Sequence, residues 1–175
     1  MEQRSFLMKT AKTDAQLLIE RLKLQPLPLE GGYFRETYRS QEKMAGALPC
    51  SQKSVSTCIY FLLTEDTFSA FHRLPADEIW HFYAGDAVEL YRINKEGKLE
   101  ITKLTSYPDA CSAPQVVVHA GQWQAARLLT GGKFALLGCT VAPGFDFVDY
   151  EHGQREVLLK EFPQYTDEIL TLTRS

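Results

Sequence analysis

The sequence predicts a mainly β domain, a sandwich or barrel of short strands with a short helix towards each end. Three observations predict it. Apolar and aromatic runs of strand length recur between residues 55 and 141. Glycine-bearing turns separate them at regular spacing. Helical periodicity is confined to segments outside that stretch.

The elements follow in order. Thr13-Asp14-Ala15-Gln16 is a capping box, and Ala15, Leu18, Ile19 and Leu22 continue it at i, i+3, i+4, i+7 as an amphipathic helix that Pro26 and Pro28 should stop. Glu30-Gly31-Gly32-Tyr33 is a turn feeding an extended stretch over 34–38. Residues 40–54 are small and polar, with Gly46 and Pro49, and read as a loop. An apolar run at 57–63 and an aromatic-rich one at 78–84 are strands. Segments 87–93 and 98–104 flank Asn94-Lys95-Glu96-Gly97 as a hairpin. Segments 115–119 and 122–129 are parted by Ala120-Gly121, and 133–141 follows Gly131-Gly132 and ends before Pro143-Gly144. A last helix over 154–162, with Val157, Leu158 and Phe162, ends at Pro163.

The bulk numbers narrow the function. A chain of 175 residues favours a single domain over 1–175, and it buries roughly 70% of its unfolded surface without needing staples. Nineteen basic against 22 acidic residues give a net charge of −3, which argues against a nucleic-acid partner. The four cysteines, Cys50, Cys58, Cys111 and Cys139, are scattered without metal-ligand spacing. No segment has the roughly 18 apolar residues of a membrane helix or the core of a signal peptide. A cytoplasmic location is the expectation, with no membrane partner.

The histidines, His72, His81, His119 and His152, lie in the β part or just after it. His72 with Glu78 can form an acid–base pair or bind a divalent metal. Strand parity sends Glu78, Trp80 and Phe82 one way and Ile79, His81 and Tyr83 the other, so Glu78 and His81 cannot line one pocket. Blander roles stand beside these. His72 and Glu78 could be a structural pair, His81 a packed face residue, His119 an exposed turn residue and His152 a helix-entry residue. Trp80, Phe82 and Trp123 could line a cavity or be plain core, and Arg35 and Arg127 could bind an anionic group or form surface ion pairs.

His72-Arg73-Leu74-Pro75-Ala76-Asp77-Glu78 followed by Gly85, and His119-Ala120-Gly121-Gln122-Trp123-Gln124, resemble the two cupin motifs. Three blocks together resemble the cupin_5 family of the RmlC-like cupins, once catalogued as a domain of unknown function. They are Glu30-Gly31-Gly32-Tyr33-Phe34-Arg35-Glu36-Thr37-Tyr38, Asp77-Glu78-Ile79-Trp80-His81-Phe82 and Thr140-Val141-Ala142-Pro143-Gly144-Phe145-Asp146-Phe147. The likeness spans about residues 24–162 and implies a double-stranded β-helix, the jelly roll, with a pocket at the barrel mouth. Leu74 and Gln124 stand where two metal-binding histidines of the motif would be. The resemblance therefore leaves His72, Glu78 and Gln124 as a weak divalent-metal set, and no cofactor is expected.

The resemblance extends to metal-free sugar-nucleotide epimerases of the superfamily. It implies His72 as a base, Glu78 or Asp146 as its orienter and a tyrosine such as Tyr60 as the opposing acid. Arg35, Trp80, Phe82 and Gln124 are the candidate ligand-binding residues. The expected function is a small-molecule-binding protein, a metal-independent isomerase or epimerase acting on a polar, sugar-like substrate. Alternatives are a non-catalytic ligand-binding or storage-like module and a metal-dependent dioxygenase or isomerase. The face bearing Ile79, His81 and Tyr83 is too apolar for a solvated strand, which predicts a homodimer unless Leu18, Ile19 and Leu22 of the first helix cover it.

Overall fold

A computed structural model describes residues 12–44 and 53–174. The capping box forms in full. The Gln16 N–H donates to the Thr13 hydroxyl at 3.3 Å and the Thr13 N–H to the Gln16 side chain at 3.0 Å, opening helix α1 (Asp14–Leu22). Lys23, in the left-handed region, ends it three residues before the first proline expected to do so.

The strands then run β1 (Gln25–Pro26), β2 (Tyr33–Arg39), β3 (Thr57–Thr64), β4 (Phe68–Arg73), β5 (Asp77–Gly85), β6 (Val88–Ile93), β7 (Leu99–Leu104), β8 (Ser112–Ala113), β9 (Gln115–Val118), β10 (Trp123–Leu128), β11 (Phe134–Ala142) and β12 (Glu151–His152), followed by α2 (Arg155–Glu161) and α3 (Thr166–Thr171). They form two six-stranded sheets. The first has the order β1-β2-β3-β11-β5-β9 and the second β12-β4-β10-β6-β7-β8, antiparallel throughout except for β7 with β8. Non-consecutive neighbours in both sheets make this the jelly roll that the resemblance implies. No described helix is long and apolar enough to cross a membrane.

Alternation decides what lies between the sheets. Phe61, Leu63, Trp80 and Leu137 from the first sheet meet Val88, Leu90, Leu104 and Ala126 from the second, all essentially without exposure, and close one half of the barrel. The outer face of the second sheet is also apolar. Phe71, Tyr91, Ile93 and Trp123 there pack beneath Leu158, Phe162, Ile169 and Leu172 of the C-terminal helices.

Three local expectations change. His152 is not a helix-entry residue but half of β12, paired with His72. Strand β4, which carries His72, had no distinct pattern because four of its six residues are buried and alternation vanishes. Helix α3 was not anticipated at all, since six residues show too little periodicity. The loop expected over 40–54 lies largely on residues 45–52, outside the described ones, and Lys43 bridges Ser54 at its edge.

Gly85 ends β5 with φ +100°, and a Cβ there would sit 2.3 Å from the Phe134 carbonyl oxygen, a backbone atom of the neighbouring strand. Gly85→Ala is expected to cost about 2–3 kcal/mol in urea unfolding. Gly131→Ala, at φ +89° with nothing within 4 Å, isolates the backbone term and should cost about 1 kcal/mol. Equal losses would show that the contact with Phe134 is irrelevant.

Candidate functional site

The half of the barrel not filled by core holds a cavity of about 390 Å³. Strand β4 presents His72 to it, β5 presents Glu78, and the loop between β1 and β2 lowers Glu30 into it. That loop uses left-handed backbone at Leu29 (φ 65°) as well as at two glycines. It is held from the far end of the chain. Arg174 donates from Nε to the Leu29 carbonyl at 2.8 Å and from Nη2 to the Glu30 carbonyl at 3.1 Å, while the Ala70 N–H donates to the Glu30 carbonyl at 2.9 Å.

His72 is oriented by the backbone. Its Nδ1 lies 2.8 Å from the Ala70 carbonyl oxygen, which can only accept, so Nδ1 carries the proton. Nε2 is then a bare acceptor facing the cavity, 3.8 Å from Glu30 Oε2 and beyond hydrogen-bond reach of it. Burial lowers the His72 pKa, against the Glu78 charge and the Ala70 bond, which raise it. The imidazole is neutral at pH 7. Tyr150 stacks on it at 5.2 Å between ring centres.

The two carboxyls respond to burial in the opposite sense. Glu30, 13% exposed, is pushed up to about 7 by desolvation, against the Ser69 hydroxyl, which donates to its Oε1 at 2.8 Å, and the Arg174 charge. Glu78 is raised by burial first and by the neighbouring Glu30 charge, while His72 and Gln124 draw it down. Gln124 is fully employed. Its Nε2 donates to Glu78 Oε2 at 2.6 Å and its Oε1 accepts the Trp80 indole N–H at 2.8 Å. The buried Cys139 thiol lines the same cavity, and burial raises its pKa well above the usual value.

Of the residues expected at the site, His72, Glu78 and Asp146 line the cavity. Asp146 accepts the Val148 N–H at 3.3 Å as the cap of a 3-10 turn (Phe147–Asp149), and the His72 ring is oriented by Ala70 instead. Gln124 and Trp80 stand behind Glu78 as a buried chain, with Trp80 edge-on to Phe61 at 5.6 Å. Phe82 packs against the same core.

Tyr60 and Arg35 are outside the cavity, on the outer face of the first sheet. Arg35 lies 5.5 Å over the Tyr60 ring, and Tyr60 meets Tyr83 edge-on at 6.2 Å. Arg127 pairs with Glu89 at 3.0 Å, also away from the cavity. The phenol and the guanidinium that do reach the cavity are Tyr150 and Arg39. A register shift between Glu36 and Tyr38 in β2 reverses the parity and turns Arg39 inward. His81 faces outward, its Nδ1 accepting from Gln115 and its Nε2 bonding Thr140, each at 3.0 Å.

The donor set suits a transition metal poorly. Leu74 lines the cavity and offers no lone pair, and the Gln124 oxygen is already engaged. Among the described residues, no group of three or more His, Cys, Asp or Glu side chains is placed to hold a metal ion.

Comparison with known proteins fits this geometry. The family model Cupin_5, "Cupin superfamily (DUF985)", matches residues 16–153. The Saccharomyces cerevisiae uncharacterized protein YML079W is 31% identical over 144 residues, 75% of this chain and 71% of its own. The structure of protein SO0799 from Shewanella oneidensis superposes with a TM-score of 0.83 at 36% identity, over 93% of this chain and 99% of that one. A hypothetical protein from Leishmania major gives 0.86 at 29% identity, over 93% and 100%.

Proposed function

This chain belongs to the Cupin_5 family of the cupin superfamily, and from that premise we propose that its cavity binds a small molecule and moves a proton on it without a metal, as an isomerase or epimerase of a polar, sugar-like substrate does. One observation carries the reading: a neutral His72 with Nε2 bare towards the cavity, 3.8 Å from a carboxyl whose pKa is about 7. A base and an acid near the working pH are what proton transfer requires. His72 Nε2 takes the proton from a carbon beside a carbonyl. The electron pair moves to the carbonyl oxygen, which receives the Glu30 proton, giving an enol. If the proton returns to the same carbon, the enol oxygen gives its proton back to Glu30; if it returns to the former carbonyl carbon, the hydroxyl on the first carbon gives its proton to Glu30 and becomes the new carbonyl. Either way the protein is restored and no oxidant is needed.

The competing reading is a non-catalytic binding module using the same cavity. Incubation with keto-sugars and sugar nucleotides in deuterated water, followed by NMR, separates the two. Deuterium should enter beside the carbonyl, and His72→Ala and Glu78→Ala should slow this by about 10²–10⁴. Exchange that survives both substitutions ends the catalytic reading, and saturable binding without exchange favours the module. A stoichiometric transition metal in protein purified without a histidine tag would overturn the metal-free chemistry.

We also propose a homodimer through the outer face of the first sheet. Helix α1 packs on β3, two strands away from β5. Tyr38, Tyr83 and Val117 remain at least one-third exposed on that face. Light scattering across a dilution series should give twice 19.9 kDa, and the monomer mass at micromolar concentration would reject the dimer.

A further inference from the structure

We infer that the cavity selects a small organic cation, an ammonium group carried on an apolar or aromatic body. The inference rests on the reading of this cavity as a small-molecule site, but not on the proton transfer, and it puts a cationic ligand in place of the sugar-like class named there. Three observations lead to it.

The first is the chemistry of the deep end. His72 Nε2 and Glu30 Oε2 are both acceptors when Glu30 is ionised, they face each other at 3.8 Å, and neither donates to the other. The His72 side chain is only 3% exposed, and it lines the cavity with no described protein group within hydrogen-bond distance of Nε2. Two acceptors at that separation can both be reached at about 2.8–2.9 Å by one nitrogen bearing two N–H groups. Ligands offering only acceptors, such as carboxylates or phosphates, would leave both of these acceptors without a donor.

The second is the sign of the lining. Glu30, Glu36, Glu78 and Asp146 face one guanidinium, Arg39, among the described lining residues. Arg39 is already gripped by Glu36, Nε to Oε1 at 3.0 Å and Nη2 to Oε2 at 2.6 Å. Among the described residues no cation is left free in the lining to meet an anionic ligand, whereas a bound cation would stabilise the buried carboxylates. The third is the wall. Phe34, Ile59, Val141, Phe145 and Phe147 line the rest, and the last two phenyl rings meet edge-on at 5.1 Å. An apolar body fits there, and aromatic faces also attract an ammonium.

The test uses three probes of matched shape: 2-phenylethylammonium, neutral 2-phenylethanol and anionic 3-phenylpropanoate. Titration calorimetry of the full chain at pH 8, where Glu30 is ionised, should show the ammonium binding at least tenfold more tightly than the alcohol, and the carboxylate not at all. In Glu30→Gln the ammonium should fall to within about twofold of the alcohol, with an unchanged circular dichroism spectrum certifying that the variant is folded. No ammonium binding at millimolar concentration, equal binding of the carboxylate, or an ammonium preference that survives Glu30→Gln would each overturn the inference. Deuterium exchange on a neutral or anionic sugar without an ammonium preference would sink this inference and leave the proton-transfer reading standing. An ammonium preference without exchange would do the reverse.

Discussion

Gln124→Ala is expected to lower the unfolding free energy by about 3–5 kcal/mol, much of what a domain of this size has to spare. Gln124 is 1% exposed and joins two buried groups, the Trp80 indole N–H and Glu78 Oε2, the Glu78 carboxyl being bonded also by the Cys139 thiol. Its removal leaves the indole donor unpaired, at about 1–3 kcal/mol, takes one of two side-chain hydrogen bonds from the carboxyl, and adds a void. Gln124→Leu separates the two contributions, since it fills the volume and offers no partner. Urea unfolding at pH 7 should find the leucine variant nearly as weak as the alanine one. A loss below about 1 kcal/mol would mean that water replaces the amide and that the chain behind Glu78 is dispensable.

Glu30→Gln should stabilise the protein at pH 8 by on the order of 2–3 kcal/mol and leave it unchanged near pH 4. The folded carboxyl titrates at about 7, above its ordinary 4.5, so the folded state binds more protons between those values. Stability therefore falls as pH rises through that window, and the full cost of the buried charge is felt above it. Glutamine keeps an oxygen for the Ser69 hydroxyl and removes the charge. His72 works in the other direction. Its folded pKa is lowered, so the unfolded state takes up more protons below 6.5 and stability rises with pH towards that value. With Glu30 neutralised, this rise should be unmasked. Thermal or urea unfolding at four pH values from 5 to 8 checks both slopes. The same substitution should cost deuterium exchange about 10²–10⁴-fold, so the variant would be more stable and less active. A variant no more stable than the parent at pH 8 would show that Glu30 is not charged in a buried site.

Most of the strands were legible because one face of each is buried and the other is not. The parity of β5 placed Glu78 and Trp80 inward and His81 outward, and all three lie so. The hairpin at Asn94–Gly97 was legible because Asn94 caps its own turn, its Oδ1 accepting the N–H groups of Glu96 and Lys98. The inward set was harder. The sequence points to Arg35 and not to Arg39, because a register shift in the middle of β2 reverses parity without any residue type to announce it. Tyr60 carries the same signal as Tyr150, a tyrosine in the β part, but β3 turns Tyr60 outward, whereas Tyr150 reaches His72 through a short edge strand and a 3-10 turn. Glu30 was noticed only as part of a turn. Its role depends on Ser69, Ala70 and Arg174, and local pattern carries no information about partners so distant in sequence.

The grip of Arg174 on the Glu30 loop also bears on how the pocket would come apart. The two residues are 144 positions apart. The loop is therefore tied to a segment beside α3 and not to its own neighbours in sequence. Fraying of that segment would withdraw the guanidinium from the Leu29 and Glu30 carbonyls and leave the loop on its Ser69 and Ala70 contacts alone. Local opening around residue 174 would thus be felt inside the pocket before the sheets part.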